Sequence, residues 1–254
     1  MNSPKSIAIV GKGGTGKTAI TTLLAKILSE EYDFKLLLID ADPTHPHLST
    51  MVELIPKKSL EDIRLEIIKE SMQQAKEFVE IAENIDFKLY NAIEESKGFS
   101  LLSIGNPVSE GCFCPANSLL RNVIESISKD FEIVLIDCEA GLEQINRKVL
   151  RNVDTILIIS DISVRSLETA QSIKKMAQKF THYKKLGVIL NKVRGNIDKL
   201  LIHMKELDLP LLGKVPEDRL IMEFDLQGKP LIHLTDDSKA LRSIRNIIQK
   251  LIKI

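Results

Sequence analysis

The apolar residues of this chain gather into short, nearly continuous runs of strand length: Ser6–Val10, Lys35–Ile39, Leu101–Ile104, Ile133–Ile136, Thr155–Ser160 and Leu186–Leu190. A weaker run is Leu209–Gly213. Between most of them the spacing turns helical, over Thr18–Glu30, Ser118–Ser128, Ser166–Lys179 and Ile197–Leu207. Strands apolar on both faces and alternating with helices predict an α/β fold, a doubly wound and mostly parallel sheet flanked by helices. Ser59–Asn84 is charged with a helical period and predicts one or two surface helices. No Gly/Pro/Ser-rich linker, internal repeat or low-complexity tract interrupts the pattern, so residues 1–254 read as a single domain.

The last segment, Lys239–Ile254, sets Leu241, Ile244, Ile248, Leu251 and Ile252 on one face, with Arg242, Arg245, Lys250 and Lys253 as charge on the other. Such a helix could lie on a membrane surface. Its place directly after the last strand favours packing on the sheet instead.

Composition narrows the function classes. Lys+Arg and Asp+Glu both number 35, so no global field points to nucleic acid or to an anionic membrane. Trp is absent and aromatic content is 4%, which argues against base-stacking platforms. No secretory leader precedes the first strand, no apolar run reaches membrane-spanning length, and three cysteines do not make a disulfide framework. A cytoplasmic protein is expected.

The chemistry concentrates where the first strand meets the first helix. Gly11-Lys-Gly-Gly-Thr-Gly16-Lys17-Thr18 matches G-x-x-x-x-G-K-[ST] in full. Glycines let backbone N–H groups turn around phosphate oxygens, and the following helix start adds partial positive charge. Lys17 can reach the β- and γ-phosphates, and the Thr18 hydroxyl can ligate Mg²⁺. In such sheets ligands bind at the carboxyl ends of strands. Asp40-Ala-Asp42-Pro43 and Asp137-Cys-Glu-Ala-Gly141 stand at two such ends, placed for Mg²⁺ and for an attacking water. A capping role before Pro43 is the plainer reading of Asp40 and Asp42. Asn191-Lys192 ends another strand, where the Asn amide can pair with a purine edge or simply end the strand in a turn.

Lys12 lies inside the loop, and the ordinary loop has no task for it. With Asp-Ala-Asp-Pro and Asp-x-x-Ala-Gly, this variant resembles the deviant phosphate-loop ATPases, from Lys5 to about Asp218. That family includes MinD and ParA proteins, the nitrogenase iron protein and metallocentre maturation factors. The resemblance implies a P-loop NTPase fold of the deviant Walker A class and an ATP-stabilised homodimer. In that dimer Lys12 would reach the partner's ATP phosphates, Asp42 would orient the water, and Asp40 and Asp137 would support Mg²⁺. By the same carry-over, ATP or ADP would contact Gly11, Lys12, Gly13, Gly14, Thr15, Gly16, Lys17, Thr18, Ala19, Asn191, Lys192 and Pro216.

A second feature concerns cargo. Gly111-Cys112-Phe113-Cys114-Pro115 sits before the helix beginning near Ala116. Thiolates suit Zn²⁺, Ni²⁺, Cu⁺ or Fe–S clusters, and two cysteines supply half of a tetrahedral site. A two-fold partner would complete it. The plainer reading is a pair of packed thiols. Cys138, inside an apolar strand, reads as a small filler. Cys112, Cys114, Asn117, Arg121, the Asp137–Glu143 stretch and Asp161–Leu167 together resemble the CooC-type nickel-insertion ATPases of carbon monoxide dehydrogenase maturation. The resemblance implies Ni²⁺ held by Cys112 and Cys114 at the dimer interface, with Zn²⁺ possible there, and a nickel metalloenzyme client. Acetyl-CoA synthase maturation ATPases share the pattern. A MinD/ParA-type positioning ATPase and an Fe–S reductase are the other readings, and neither accounts for an adjacent cysteine pair. His45 and His47, held extended by Pro46, read as ordinary loop surface rather than metal ligands.

Overall fold

A computed structural model describes residues 6–42, 47–74, 87–105, 127–139 and 152–253. Among the described residues, eight strands form one sheet in the order β3-β4-β2-β5-β1-β6-β7-β8. They are β1 (Ser6–Gly11), β2 (Leu36–Ala41), β3 (Glu94–Ser96), β4 (Phe99–Ser103), β5 (Ile133–Cys138), β6 (Asn152–Ser160), β7 (His182–Val193) and β8 (Leu211–Pro216). All pairings are parallel except β3 with β4. The antiparallel edge was not expected. Glu94-Glu-Ser96 has no apolar signal, and only the turn through Gly98, at φ +100°, marks the reversal.

Described helices cover both faces: α1 (Lys17–Glu31), α2 (His47–Met51), α3 (Leu60–Gln74), α4 (Val164–Phe180), α5 (Asp198–Glu206), α6 (Arg219–Gln227) and α7 (Lys239–Lys253). Successive strand residues point to opposite faces, so each central strand feeds two cores. On β1, Ile7 and Ile9 join α1 and α7, whereas Ala8 and Val10 face the side of α3, α4 and α5. Strands β2 and β5 are buried throughout, as expected of a parallel sheet covered on both faces.

Two expectations gain detail here. Helix α3 is less superficial than its charge implies, because Ile63 and Ile67 join the core and Arg64 is buried in a pair with Glu61 at 2.7 Å. Helix α7 packs against β8 and α1, with Leu241, Ile244, Ile247, Ile248 and Leu251 buried. Its apolar face is therefore occupied by the sheet. Among the described residues no helix is long and apolar enough to cross a membrane. Of the predicted Ser118–Ser128 helix, only its end falls among the described residues, beside a 3₁₀ turn at Ser128–Asp130.

Candidate functional site

Two glycines of the loop between β1 and α1, Gly11 and Gly16, stand where a side chain would collide with its neighbours. Gly11 has φ +154°, and a Cβ there would lie 2.3 Å from the Ile159 carbonyl oxygen of the neighbouring strand β6. Gly16 adopts the left-handed conformation, φ 87°, at the N-cap of α1, and no side chain caps the helix. The first amides of α1 are thus left for an external acceptor. The buried Thr15 closes the turn, its Oγ1 donating to the Lys12 carbonyl at 2.8 Å. Lys17 Nζ lies over the same carbonyl at 3.5 Å.

Behind the loop, Asp40 on β2 and Asp137 on β5 are partners in register. Burial, then the nearby Asp137 charge, raises Asp40 from 3.8 to about 7. Burial raises Asp137 to about 6, although hydrogen bonds from Thr18 and Thr21 and the Lys17 charge oppose it. Asp40 Oδ1 accepts from the Asp42 amide at 3.2 Å, whereas its buried Oδ2 has no hydrogen-bond partner. Two buried carboxyls, one orphaned oxygen and the Thr18 hydroxyl form a hard oxygen donor set. That set fits Mg²⁺, which takes few protein oxygens and keeps several waters.

A cavity of about 630 Å³ opens over the loop. Gly13, Gly14, Gly16, Lys17, Thr18, Ala19, Asp42, Asn191, Lys192 and Pro216 line it, so the structure brings together residues from four separate stretches of sequence. Gly11, Thr15, Asp40 and Asp137 stand behind this surface, and Lys12 does not line the cavity. His47 and Met51 of α2 and Glu139 after β5 also line it. The far wall is α6, through Ile221, Met222 and Asp225. Sequence reading missed α6, although Asp218 before it and Gly228 after it mark both ends.

Asn191, expected at a purine edge, lines the cavity. Its Nδ2 donates to the Thr15 carbonyl at 2.8 Å, inside the phosphate loop. Cys138 is buried, its thiol pushed well up by burial and donating to the Ile136 carbonyl, as expected of a filler. Cys112, Cys114 and His45 lie outside the described residues. Among those described, no group of three or more His, Cys, Asp or Glu is placed to hold a metal ion.

The fold and this loop define a nucleotide-binding ATPase, and comparison with known proteins gives its family. Residues 7–231 match the CobQ/CobB/MinD/ParA nucleotide binding domain, and the chain belongs to that family. An uncharacterised ATP-binding protein of Methanocaldococcus jannaschii is 38% identical over 251 residues, covering 97% of this chain and 98% of the relative. The carbon monoxide dehydrogenase accessory protein CooC of Rhodospirillum rubrum is 32% identical over 232 residues, covering 87% of each. The septum site-determining protein MinD of Pyrococcus horikoshii, solved with Mg-ADP, superposes with a TM-score of 0.72 at 27% identity, covering 98% of this chain and 96% of its own.

Proposed function

We propose that this ATPase is a nickel metallochaperone, working as a homodimer that carries Ni²⁺ on Cys112 and Cys114 of each protomer and delivers it to a metalloenzyme such as carbon monoxide dehydrogenase. The observation that carries the reading is the Cys112-Phe-Cys114 pair in a chain 32% identical to CooC. Two thiolates from each of two protomers make a four-sulfur set, and soft sulfur ligands suit nickel. The thiolate, rather than the thiol, is the metal-ligating form of both cysteines.

The ATPase half of the proposal assigns roles to residues around the cavity. Lys17 and the loop amides hold the β- and γ-phosphates, and Lys12, which does not line its own cavity, reaches the partner's nucleotide. Asp42 orients the attacking water beside the phosphate end. Thr18, Asp40 and Asp137 would hold Mg²⁺, which when bound neutralises charge building on the phosphate oxygens. Nucleotide state then changes how the protomers meet and, with it, the shared sulfur site. The packed α7 favours this reading over a membrane-attached positioning ATPase, because its apolar face is already covered.

The test is activation of nickel-free carbon monoxide dehydrogenase by the purified protein with Ni²⁺ and ATP. Activation that requires both cysteines and hydrolysable ATP is expected. A Cys112→Ser/Cys114→Ser variant that activates the client as well as the wild type would show the reading to be wrong.

A further inference from the structure

Two of the helices that line the nucleotide cavity are lightly anchored. Helix α2 has five residues, of which only Leu48 is buried, and α6 has no buried residue. His47 and Met51 line the cavity from α2, and Ile221, Met222 and Asp225 line it from α6. Elements with so little buried surface are the first to open. The spacing between these two walls therefore depends on what joins them.

One residue beyond each helix makes that join. Glu53 follows α2 by two positions, and His233 ends a 3₁₀ turn, Leu231–His233, that follows α6. His233 Nε2 meets Glu53 Oε2 at 2.6 Å, across 180 positions of sequence. The turn is a firm anchor, because Leu231 is buried and the turn packs on α1. Glu53 is locally the wrong residue. It stands just past α2 with φ +53°, where Leu54 N–H returns to the Ser49 carbonyl at 3.0 Å. Helices that end this way usually place glycine there, which has no Cβ to crowd the left-handed backbone. What glutamate adds over glycine is the carboxylate that His233 meets.

We propose that Glu53 and His233 are positioning residues, a strap that holds α2 to the turn behind α6, fixes the width of the cavity and slows the release of bound nucleotide. The proposal rests on the nucleotide-binding assignment and goes beyond it. The His233 side chain is 59% exposed and that of Glu53 64%, so the strap has the strength of a surface ion pair and its effect is a few-fold. Such a pair is also screened by salt.

Stopped-flow release of a fluorescent ADP analogue at fixed Mg²⁺, with melting temperatures of the nucleotide-free proteins, tests the strap. The proteins are wild type, Glu53→Gly, His233→Asn and the exchanged pair Glu53→His/His233→Glu. Glu53→Gly is expected to release the analogue about two- to fivefold faster. Its melting temperature should equal or exceed that of wild type, since glycine suits the left-handed position, and this separates the strap from stability. His233→Asn should speed release by the same factor. The exchanged pair should bring the rate back towards wild type, because histidine tolerates a left-handed backbone. Added salt should narrow the gap between wild type and Glu53→Gly. Single variants that release the analogue at the wild-type rate, or an exchanged pair as fast as they are, would overturn the strap. A wild type that does not bind the analogue would instead overturn the nucleotide-binding assignment itself, and the strap with it.

Discussion

Asp40 and Asp137 stand opposite one another on neighbouring strands β2 and β5, both buried, at the end of the sheet that faces the phosphate loop. Two carboxyls so placed are poorly tolerated without a cation. Burial and mutual repulsion push Asp40 to about 7, and burial pushes Asp137 to about 6.

The consequence for stability has a definite sign. Both groups hold protons in the folded chain above 3.8, where the unfolded chain releases them. Their contribution to stability is therefore present at low pH and is lost as pH rises through about 6 and then about 7. Asp40→Asn removes one charge and is expected to stabilise the nucleotide-free protein by roughly 1–3 kcal/mol near pH 8, less near pH 5, and little below the unfolded value of 3.8. Mg²⁺-dependent nucleotide affinity should fall at the same time. Thermal melts of the two proteins across that range check it; a difference that does not change with pH contradicts the assignment.

Asp218 serves two helices at once. Its Oδ1 accepts from the Leu220 amide of α6 at 2.9 Å, and its Oδ2 accepts from the Ala240 amide of α7 at 2.8 Å and from Ser238 Oγ at 2.7 Å. Burial raises its pKa, but these bonds outweigh it and hold the carboxyl below 3.8. Its contribution to stability is thus present above 3.8 and lost as pH falls below that value. Asp218→Ala should destabilise the fold by roughly 2–4 kcal/mol, losing two caps and leaving buried donors bare. Because α6 walls the cavity, nucleotide affinity should weaken too. Chemical denaturation and nucleotide titration together test this, and a loss below about 0.5 kcal/mol would mean that the double cap is idle.

Gly11→Ala sets a Cβ against a backbone oxygen that cannot step aside. The variant should lose roughly 2 kcal/mol or more and most nucleotide binding. Gly228→Ala makes a fair control: φ is +62°, yet nothing lies within 4 Å of its Cβ. It should lose only about 1 kcal/mol and keep nucleotide affinity.

Lys12→Ala addresses the proposed two-chain site. Lys12 does not line its own cavity. ATP binding by a single protomer should survive within a few-fold, while hydrolysis should fall by about a hundredfold or more, as when a charge on the transition state is removed. Equal loss of binding and hydrolysis would place Lys12 on its own nucleotide instead.

The sheet was legible because its central strands are continuous runs of Ile, Leu and Val, and the loop was legible because its glycines are spaced for phosphate. The edge was not: Glu94–Ser96 is polar, and its pairing comes from a turn rather than from burial. The first third of β7 escaped for a similar reason, since His182–Lys185 is polar while pairing with β6 all the same. Asn191 exposes a different limit. Its residue type allowed a base contact, whereas its bond to the Thr15 carbonyl, beside the left-handed Lys192, depends on tertiary packing. Helix α6 could have been found from Asp218 and Gly228, two end signals around a segment with a clear apolar face.

The most direct test of the central claim is the mass and metal content of the intact assembly, measured by native mass spectrometry with and without ATP and Ni²⁺. The account predicts a dimer carrying one Ni²⁺ in the presence of ATP, and no bound nickel in Cys112→Ser/Cys114→Ser. Nickel retained by that variant, or nickel bound stoichiometrically to the monomer, would contradict it.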